Sequence, residues 1–475
     1  MSSPPPPATP LAVFDKVWSE IGLGPADRAG SVAILGDDPV VPGRHRFGAA
    51  SAGALAAQGA AVAAVWKLRG GGGQDVAVDL RQAVVPGLQT IAHLYQNGHY
   101  LPPHPPGTDF IGFFRTRDER QIFLLRTTVY PELMTRLVNV LDCGYAPEAM
   151  ARAAARWNAF ELEEALAGAR AVGVVARTRT EWLAHAQGQW LAARPAVEVE
   201  KIGDSAPEPL APALRPLAGV RVLDCTHVLA GPATARVLAE QGADVLHVAP
   251  PWRLDSHPML MDTGFGKRNA LVDFSQADDV QRLRELVQGA DLLVQSWRPG
   301  ALERAGFGPE EIARQRPGIV YVSVSCYGSG GPWRERGGFE PIGQTVCGLA
   351  IDEGSAAAPR LAPTGTLNDY LAPYLASAGA LAALIRRARE GGSYHVKVSL
   401  TRCSMFLQEL GPLAAAQEAA SPSTMPAAAP EHFITMASPY GELRVPAPIV
   451  RYSRTPGYWS CPPGPPGQDE PAWQG

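Results

Sequence analysis

Two stretches of this chain have residue types and settings suited to chemistry. The first is the glycine quartet in "LRGGGGQDVAVDL", which ends at Leu80. A glycine-rich loop cradles phosphate when it follows a strand and opens a helix, because helix N-terminal N–H groups then meet the anion. Here the order is reversed. An alanine-rich helical run (Ser51 to Leu68) comes first, the glycines end it, and "VAVDL" follows. Glycine just past a helix is its common stop signal, so the quartet reads as punctuation. The second is Asp369 in "TLNDYLAP", a carboxylate at the opening of a helical run. By position alone it is a helix N-cap. "VLAGP" (Val228 to Pro232) lies between a strand pattern and a helix, where backbone N–H groups can hold an anion. On residue type alone Arg298 and Arg304 are ordinary surface charge.

The elements that would position these residues are clear after Gly219. "GVRVLDCTHV" is a short β-branched run, "GPATARVLAEQGA" a helix closed by Gly242, and "DVLHVAP" a second strand. "DDVQRLRELVQGA" is a helix, followed by the strands "DLLVQS" and "GIVYVSVS". Strands alternating with helices of this length predict an α/β fold, a doubly wound parallel sheet. Ligands of such sheets sit at the carboxyl ends of the strands, and "VLAGP" occupies that position.

The 475 residues exceed one ordinary core, so two or more domains are expected. The reading is a disordered proline-rich tail at 1–20, a region 21–205 that includes a smaller α+β domain at about 100–200, a linker at 206–219, a catalytic α/β domain at 220–415, and a connector with a closing segment at 416–475. The final "CPPGPPGQDEPAWQG" is expected to be irregular surface chain, and the preceding "AAAQEAASPSTMPAAAPEH" a mobile connector. Composition, 46% hydrophobic and 19% charged with net charge −4, is that of a globular protein without the basic footprint of nucleic-acid binding. The six cysteines are scattered with no CxxC pair, which points to a reducing cytoplasm and away from a zinc site. No secretory signal pattern is read at the N-terminus, and no run of about 18 uncharged apolar residues that would span a membrane. Neither nucleic acid nor membrane is expected as a partner.

One unit occurs twice. Ala56–Leu80 overlays Ala376–Leu400 at a constant shift of 320 (376 minus 56), with Gly59, Arg69, Gly71, Gly72, Val76, Val78 and Leu80 identical besides three alanines. Identity in register across helix, turn and strand indicates a duplicated module. The opening glycines belong to that module.

From "PLAGVRVLDCTHVLAGPATARVLAEQGADVLHV" onward the second half resembles the family III CoA-transferases. The resemblance runs in order through "GKRNALVDF", "SWRPGALERAGFG", "VSVSCYGSGGPW", "GGFEPIGQTVCGL" and "LNDYLAPYLASAGALAALIRRAREGGSYHVKVSL", about Pro216 to Leu407. Residues 45–85 resemble the same family's helix–turn–strand unit, residues 109–200 its smaller C-terminal domain, and "SPYGELRVPAPIVRYSRTPGYW" its closing segment. The chain is therefore similar to a fused, partly deleted tandem. Its front copy lacks a CoA-binding domain, its back copy lacks most of a small domain, and one small domain serves the catalytic half behind it.

The resemblance implies Asp369 as a covalent nucleophile that forms an aspartyl–acyl anhydride and then an aspartyl–CoA thioester. It implies CoA contacts at Leu229 and Ala230, at Val272, Asp273, Phe274 and Ser275 near the adenine, at Ser296, Trp297 and Arg298, and at Arg304. Coenzyme A and acyl-CoA are implied as substrates, with a carboxylic acid as the other reactant and a homodimer as the assembly; no tightly bound cofactor and no metal are implied. In the first copy the shift lands on Ala49, which has no nucleophile, with Asp37 and Asp38 nearby. The chain departs from the family at His247-Val248-Ala249, where "KxE" is usual, and at Pro250, where an arginine stands that Arg253 could replace. Ser296 replaces an asparagine, and Gly338-Phe339-Glu340 replaces "GYD". The related α-methylacyl-CoA racemases carry a histidine at the position of Phe339, and a racemase needs two proton-transferring groups, so that activity is disfavoured. A non-catalytic CoA-binding subunit is the other alternative. His395 is read as a surface histidine, and Gly328 to Gly331 as a mobile loop over the site or a plain turn.

Overall fold

The computed structural model describes residues 8–103, 112–127 and 129–474. Six parallel strands form the main sheet: Arg221–Cys225, Asp244–Ala249, Lys267–Leu271, Leu292–Gln295, Val320–Ser325 and Ser393–Ser399. Counted along the chain, they lie side by side as third, second, first, fourth, fifth and sixth. Alternate residues face opposite sides, and both sides are apolar: Val222, Val245 and Val294 enter one core, Leu223, Leu246 and Leu293 the other. A sheet covered on both faces needs such unbroken apolar strands. The expected doubly wound α/β fold is present, and its strand order reverses between Arg221–Cys225 and Leu292–Gln295, which is where such sheets bind ligands.

A seventh strand, Glu198–Gly203, pairs antiparallel with Ser393–Ser399. It comes from the front half of the chain, before the region read as the sheet domain. The exchange is mutual. The front copy's own small sheet, Val32–Leu35 beside Val76–Asp79, takes its antiparallel strand from Arg451–Tyr452 near the chain end. Even the registers agree at the shift of 320: Val396 faces Val199 and Val76 faces Tyr452, while Lys397 faces Glu198 and Ala77 faces Arg451.

The two copies meet through their long helices, Phe47–Leu68 in front and Leu367–Glu390 behind, which pack against each other. The front helix is apolar all round, as a fully buried helix must be. By length and composition it is apolar enough to cross a membrane, contrary to the sequence reading, and in the fold all of that apolar stretch is buried inside the protein. Its alanines permit close approach, and glycine decides two contacts. A Cβ on Gly59 would stand 2.7 Å from Val450 and 2.8 Å from Val76; on Gly379 it would stand 2.7 Å from Val197 and 2.8 Å from Val396. The two glycines thus serve equivalent crossings of helix over strand.

The expected disorder at 1–20 fails over the described residues 8–20, and residues 1–7 lie outside the described residues. Pro10–Glu20 is a helix capped by Thr9, whose hydroxyl accepts from Ala12 N–H at 3.2 Å, and it buries Val13, Phe14, Val17 and Trp18 against the front helix. The proline run concealed that amphipathic period. The small domain has its own core, built by Phe113–Arg115, Gln121–Leu124 and Gly173–Val175 with the helices Pro131–Leu141, Pro147–Ala154 and Ala159–Gly168. The end of the chain is irregular, as expected, and anchored: Asn269 N–H donates to Asp469 at 2.8 Å and Trp473 donates to the Leu286 carbonyl at 2.9 Å, so the tail covers the sheet's edge strand.

Candidate active site

A cavity of about 360 Å³ opens at the strand-order reversal. The loops after Arg221–Cys225 and Leu292–Gln295 form one wall, the N-terminus of the back helix another, and the small domain the third, through Leu125, Thr127, Tyr130, Leu133, Arg136 and Arg170. All of these belong to the same chain.

Asp369 lines this cavity and is 7% exposed. It does not cap its helix: Thr366 is the N-cap residue and Asp369 lies in the first turn. No side chain among the described residues donates a hydrogen bond to its carboxylate. Pro373 follows four residues on and lacks the N–H that would bond the Asp369 carbonyl. Burial pushes the carboxyl well above its usual range, and the neighbouring acids Glu340 and Asp262 push it further.

Those two acids are held differently. Asp262 is ion-paired to Arg236 at 3.0 Å and accepts from Thr90 at 2.5 Å and Tyr370 at 2.9 Å. Glu340 begins the helix Glu340–Val346, and its Oε1 accepts from Asn368 N–H at 2.9 Å, Asn368 Nδ2 at 3.1 Å and Gln344 Nε2 at 2.6 Å. Its Oε2 has no partner among the described residues, and burial raises the group to about 7. Glu340 thereby fixes the start of the back helix and places a second titrating acid beside Asp369.

The opposite wall is strained into place. Val228 has φ +69°, a conformation that β-branched residues rarely adopt. Two side chains hold the turn: Asp255 Oδ2 accepts Val228 N–H at 2.8 Å, and Ser296 Oγ accepts His227 N–H at 3.0 Å. Tyr130 of the small domain donates to the other Asp255 oxygen at 2.5 Å and stacks on Phe339, with ring centroids 5.8 Å apart. His227, buried against Trp297 with Nδ1 unpartnered among the described residues, is pushed down to about 3 by burial and by nearby arginines, so it stays neutral.

The model of the CoA-transferase family III matches residues 24–208 and 217–436. This chain belongs to CoA-transferase family III. It is 40% identical over 199 residues to an acetyl-coenzyme A transferase of Hypoxylon pulicicidum, which covers 41% of this chain and 34% of that protein. It is 31% identical over 266 residues to an acyl-CoA transferase of Gibberella moniliformis (53% and 46% covered). With a succinyl-CoA–D-citramalate CoA-transferase of Chloroflexus aurantiacus it shares 31% over 210 residues (41% and 52%). The chain thus spans about half or less of the length of these relatives. Among solved structures, a CAIB/BAIF family protein from Brucella suis gives a TM-score of 0.39 at 25% identity, over 48% of this chain and 65% of that one.

In this family III chain the cavity brings together Asp369, Leu229, Ala230, Ser296, Trp297, Arg298 and Arg304. Leu229 and Ala230 open the helix Ala230–Glu240, whose N-terminus favours negative charge. The segment Val272 to Ser275 does not line the cavity. Val272 is buried, and Asp273 holds the turn by accepting from Ser275 N–H at 2.9 Å and from Trp252 at 3.1 Å. Only Phe274 reaches toward the site, with its ring edge on Trp297 at 6.2 Å. Arg253 does line the cavity, lying over the rings of Tyr130 (5.0 Å) and Trp297 (5.6 Å). His247 is buried beside Asp224, which also binds Lys267 at 2.7 Å, a structural role.

The expectation for His395 fails. His395 is not on the surface: it is 6% exposed, bonded to Ser323 Oγ at 2.8 Å and set edge-on to Tyr321. The strand Ser393–Ser399, paired on both sides, carries it inside. Of the two readings left open for Gly328 to Gly331, the loop over the site is set aside, since the segment does not line the cavity that holds Asp369. It borders a separate cavity of about 210 Å³ and is pinned by Gln187, which donates to Tyr327 and Gly330 carbonyls at 2.7 and 2.9 Å. Sequence reasoning missed Tyr130, Arg136, Arg170 and Asp255. These enter through tertiary packing and carry no local signal, apart from the helix that Pro131 opens.

Proposed function

We infer that this chain exchanges CoA between an acyl-CoA and a free carboxylic acid, with Asp369 as the covalent nucleophile. The observation that carries the reading is a buried carboxylate, without a hydrogen-bonding side chain, facing a cavity at the sheet's ligand crevice. Structural carboxylates are normally paired when buried, so this one is arranged for another use. The Asp369 carboxylate attacks the thioester carbonyl and expels CoA thiolate, giving an aspartyl–acyl anhydride. The thiolate then attacks the aspartyl carbonyl, releasing the donor acid and leaving an aspartyl–CoA thioester. The acceptor carboxylate reverses these two steps: it displaces thiolate to form a new anhydride, and the thiolate takes the new acyl group and frees Asp369. No water is consumed, and closure by the small domain serves to exclude it.

Burial favours this path because the ionised Asp369 is costly there and each acylated form is neutral. Glu340 adds to that push and orients the helix start. The N-terminal turn at Leu229–Gly231 is suited to the oxyanion of the tetrahedral intermediate. Phe339 offers no proton-transferring group, which leaves a racemase with one base instead of two. Because the same chain supplies the small-domain wall, the catalytic unit is one chain, and a homodimer would join two complete sites. The six free cysteines suit a reducing cytoplasm.

The test is label transfer. Each of a panel of acyl-CoA donors is incubated with its own ¹³C-labelled free acid, and label is followed into the thioester. Label entry that vanishes in Asp369→Ala supports the transferase; solvent deuterium at the α-carbon without label entry would support the racemase.

A further inference from the structure

Six arginines line the cavity: Arg136, Arg170, Arg253, Arg298, Arg304 and Arg336. Arg253 is bonded to Glu132 at 3.3 Å and Arg336 to Glu164 at 2.6 Å. The other four form no ion pair among the described residues. Arg298 and Arg304 stand on the sheet side, and Arg136 and Arg170 face the cavity from the small domain. Arg136 also donates to the Arg170 carbonyl at 3.4 Å, which ties the two segments together.

Guanidinium groups without ion pairs gathered around one cavity repel one another, and at Arg298 burial adds to the cost. Arg298 is lowered to about 10 by burial and by Arg170, Arg136 and Arg253, yet it remains charged at neutral pH. Such an arrangement persists when a bound anion relieves it. Asp369 faces the cavity from the N-terminus of the back helix, and these four arginines line it from the other walls. A long thioester whose carbonyl meets Asp369 reaches those walls with its phosphates rather than its acyl group.

Resting on the transferase reading, we propose that Arg136 and Arg170 of the small domain close with Arg298 into a clamp for a phosphate of coenzyme A. The clamp takes its two halves from the two copies of the duplicated chain. The distal carboxylate of a dicarboxylic acyl group has the same anionic chemistry, and the test separates the two sources.

Equilibrium binding of CoA, dephospho-CoA, pantetheine, succinate and acetate is measured on the full chain and on Arg136→Gln, Arg170→Gln and the double variant, with thermal midpoints as the folding control. Each single variant is expected to weaken CoA about tenfold, the loss of one charge-assisted contact, with pantetheine unchanged. Loss for CoA alone assigns the 3′-phosphate, and equal loss for dephospho-CoA assigns the diphosphate. Unchanged CoA affinity in the double variant overturns the proposal. So does a loss confined to succinate relative to acetate, which would assign the clamp to a substrate carboxylate. Binding is read without turnover, so the two readings fail separately: clamp-dependent CoA binding in a chain that transfers no label sinks the transferase, and label transfer with clamp-independent binding sinks the clamp.

Discussion

The front and back copies of the helix–turn–strand unit share their architecture and differ in their chemistry. Gly59 and Gly379 make the same close crossing, and Val76 and Val396 face equivalent antiparallel partners. At the helix start the copies diverge. In front, Asp38 accepts from Gly48 and Ala49 N–H at 2.9 and 2.8 Å, and Ala49 presents a methyl group. Behind, Glu340 accepts from Asn368 N–H, the residue equivalent to Gly48, and Asp369 stands where Ala49 does. A carboxylate thus steadies the helix N-terminus in both copies, and only the back copy carries a second one facing a cavity. The difference lies in what separates strand from helix: residues 36–46 in front, residues 326–366 behind, the latter supplying the helix Glu340–Val346 and much of the cavity wall. The shared residues maintain packing, and the unshared ones make the site.

The largest effect should come from the position that separates the copies. Asp369→Ala removes the proposed nucleophile and should lower transfer by a factor on the order of 10³ or more, measured by label exchange. Ala49→Asp, its mirror, should create no activity in that background, since no cavity wall surrounds it. Where the copies agree, substitutions should act alike: Gly59→Ala and Gly379→Ala each force a methyl against valines and should cost about 1–3 kcal/mol in urea unfolding. A large inequality would break the equivalence of the two crossings.

Glu340 and Asp38 should separate by readout. In the proposed mechanism Asp369 ionises to attack, so transfer should fall as pH drops through the titration of the Asp369–Glu340 pair. Glu340→Gln removes a like charge, lets Asp369 ionise more easily, and should move that acidic limb to lower pH. Asp38→Ala should cost about 1 kcal/mol of stability, as a lost helix cap does, and leave the pH profile in place. The smallest effect is expected at the seam between small domain and sheet. Tyr130→Phe deletes the bond to Asp255 and should raise KM for acyl-CoA a few-fold, the worth of about one hydrogen bond of 0.5–1.5 kcal/mol.

Much of this was legible in the sequence because it is local or ordered along the chain. The strand–helix alternation predicted the sheet, the shift of 320 exposed the duplication, and the motif order brought Asp369, Ser296, Trp297, Arg298 and Arg304 to one family pattern. What escaped depends on distant segments. The strand Glu198–Gly203 looks like the end of the small domain until it pairs with Ser393–Ser399, and that pairing also buries His395. Tyr130, Arg136 and Arg170 have no spacing relation to Asp369; the small domain's fold brings them there. Val272 to Ser275 sit at the end of the correct strand, but Trp297 stands between them and the cavity. The helix Pro10–Glu20 was hidden by the prolines ahead of it, although Val13, Phe14, Val17 and Trp18 hold its apolar stripe.

The central claim is that one chain holds one covalent site, in the back copy, completed by the small domain of the front copy. Intact and peptide masses after incubation with acyl-CoA and no acceptor test it most directly, with hydroxylamine to trap the activated carboxyl and a parallel measurement of molar mass in solution. The account predicts one adduct per chain, on the peptide containing Asp369, formed also at concentrations where the chain is monomeric. An adduct on the peptide containing Asp37 and Asp38, two adducts per chain, or labelling that requires a second chain would contradict it.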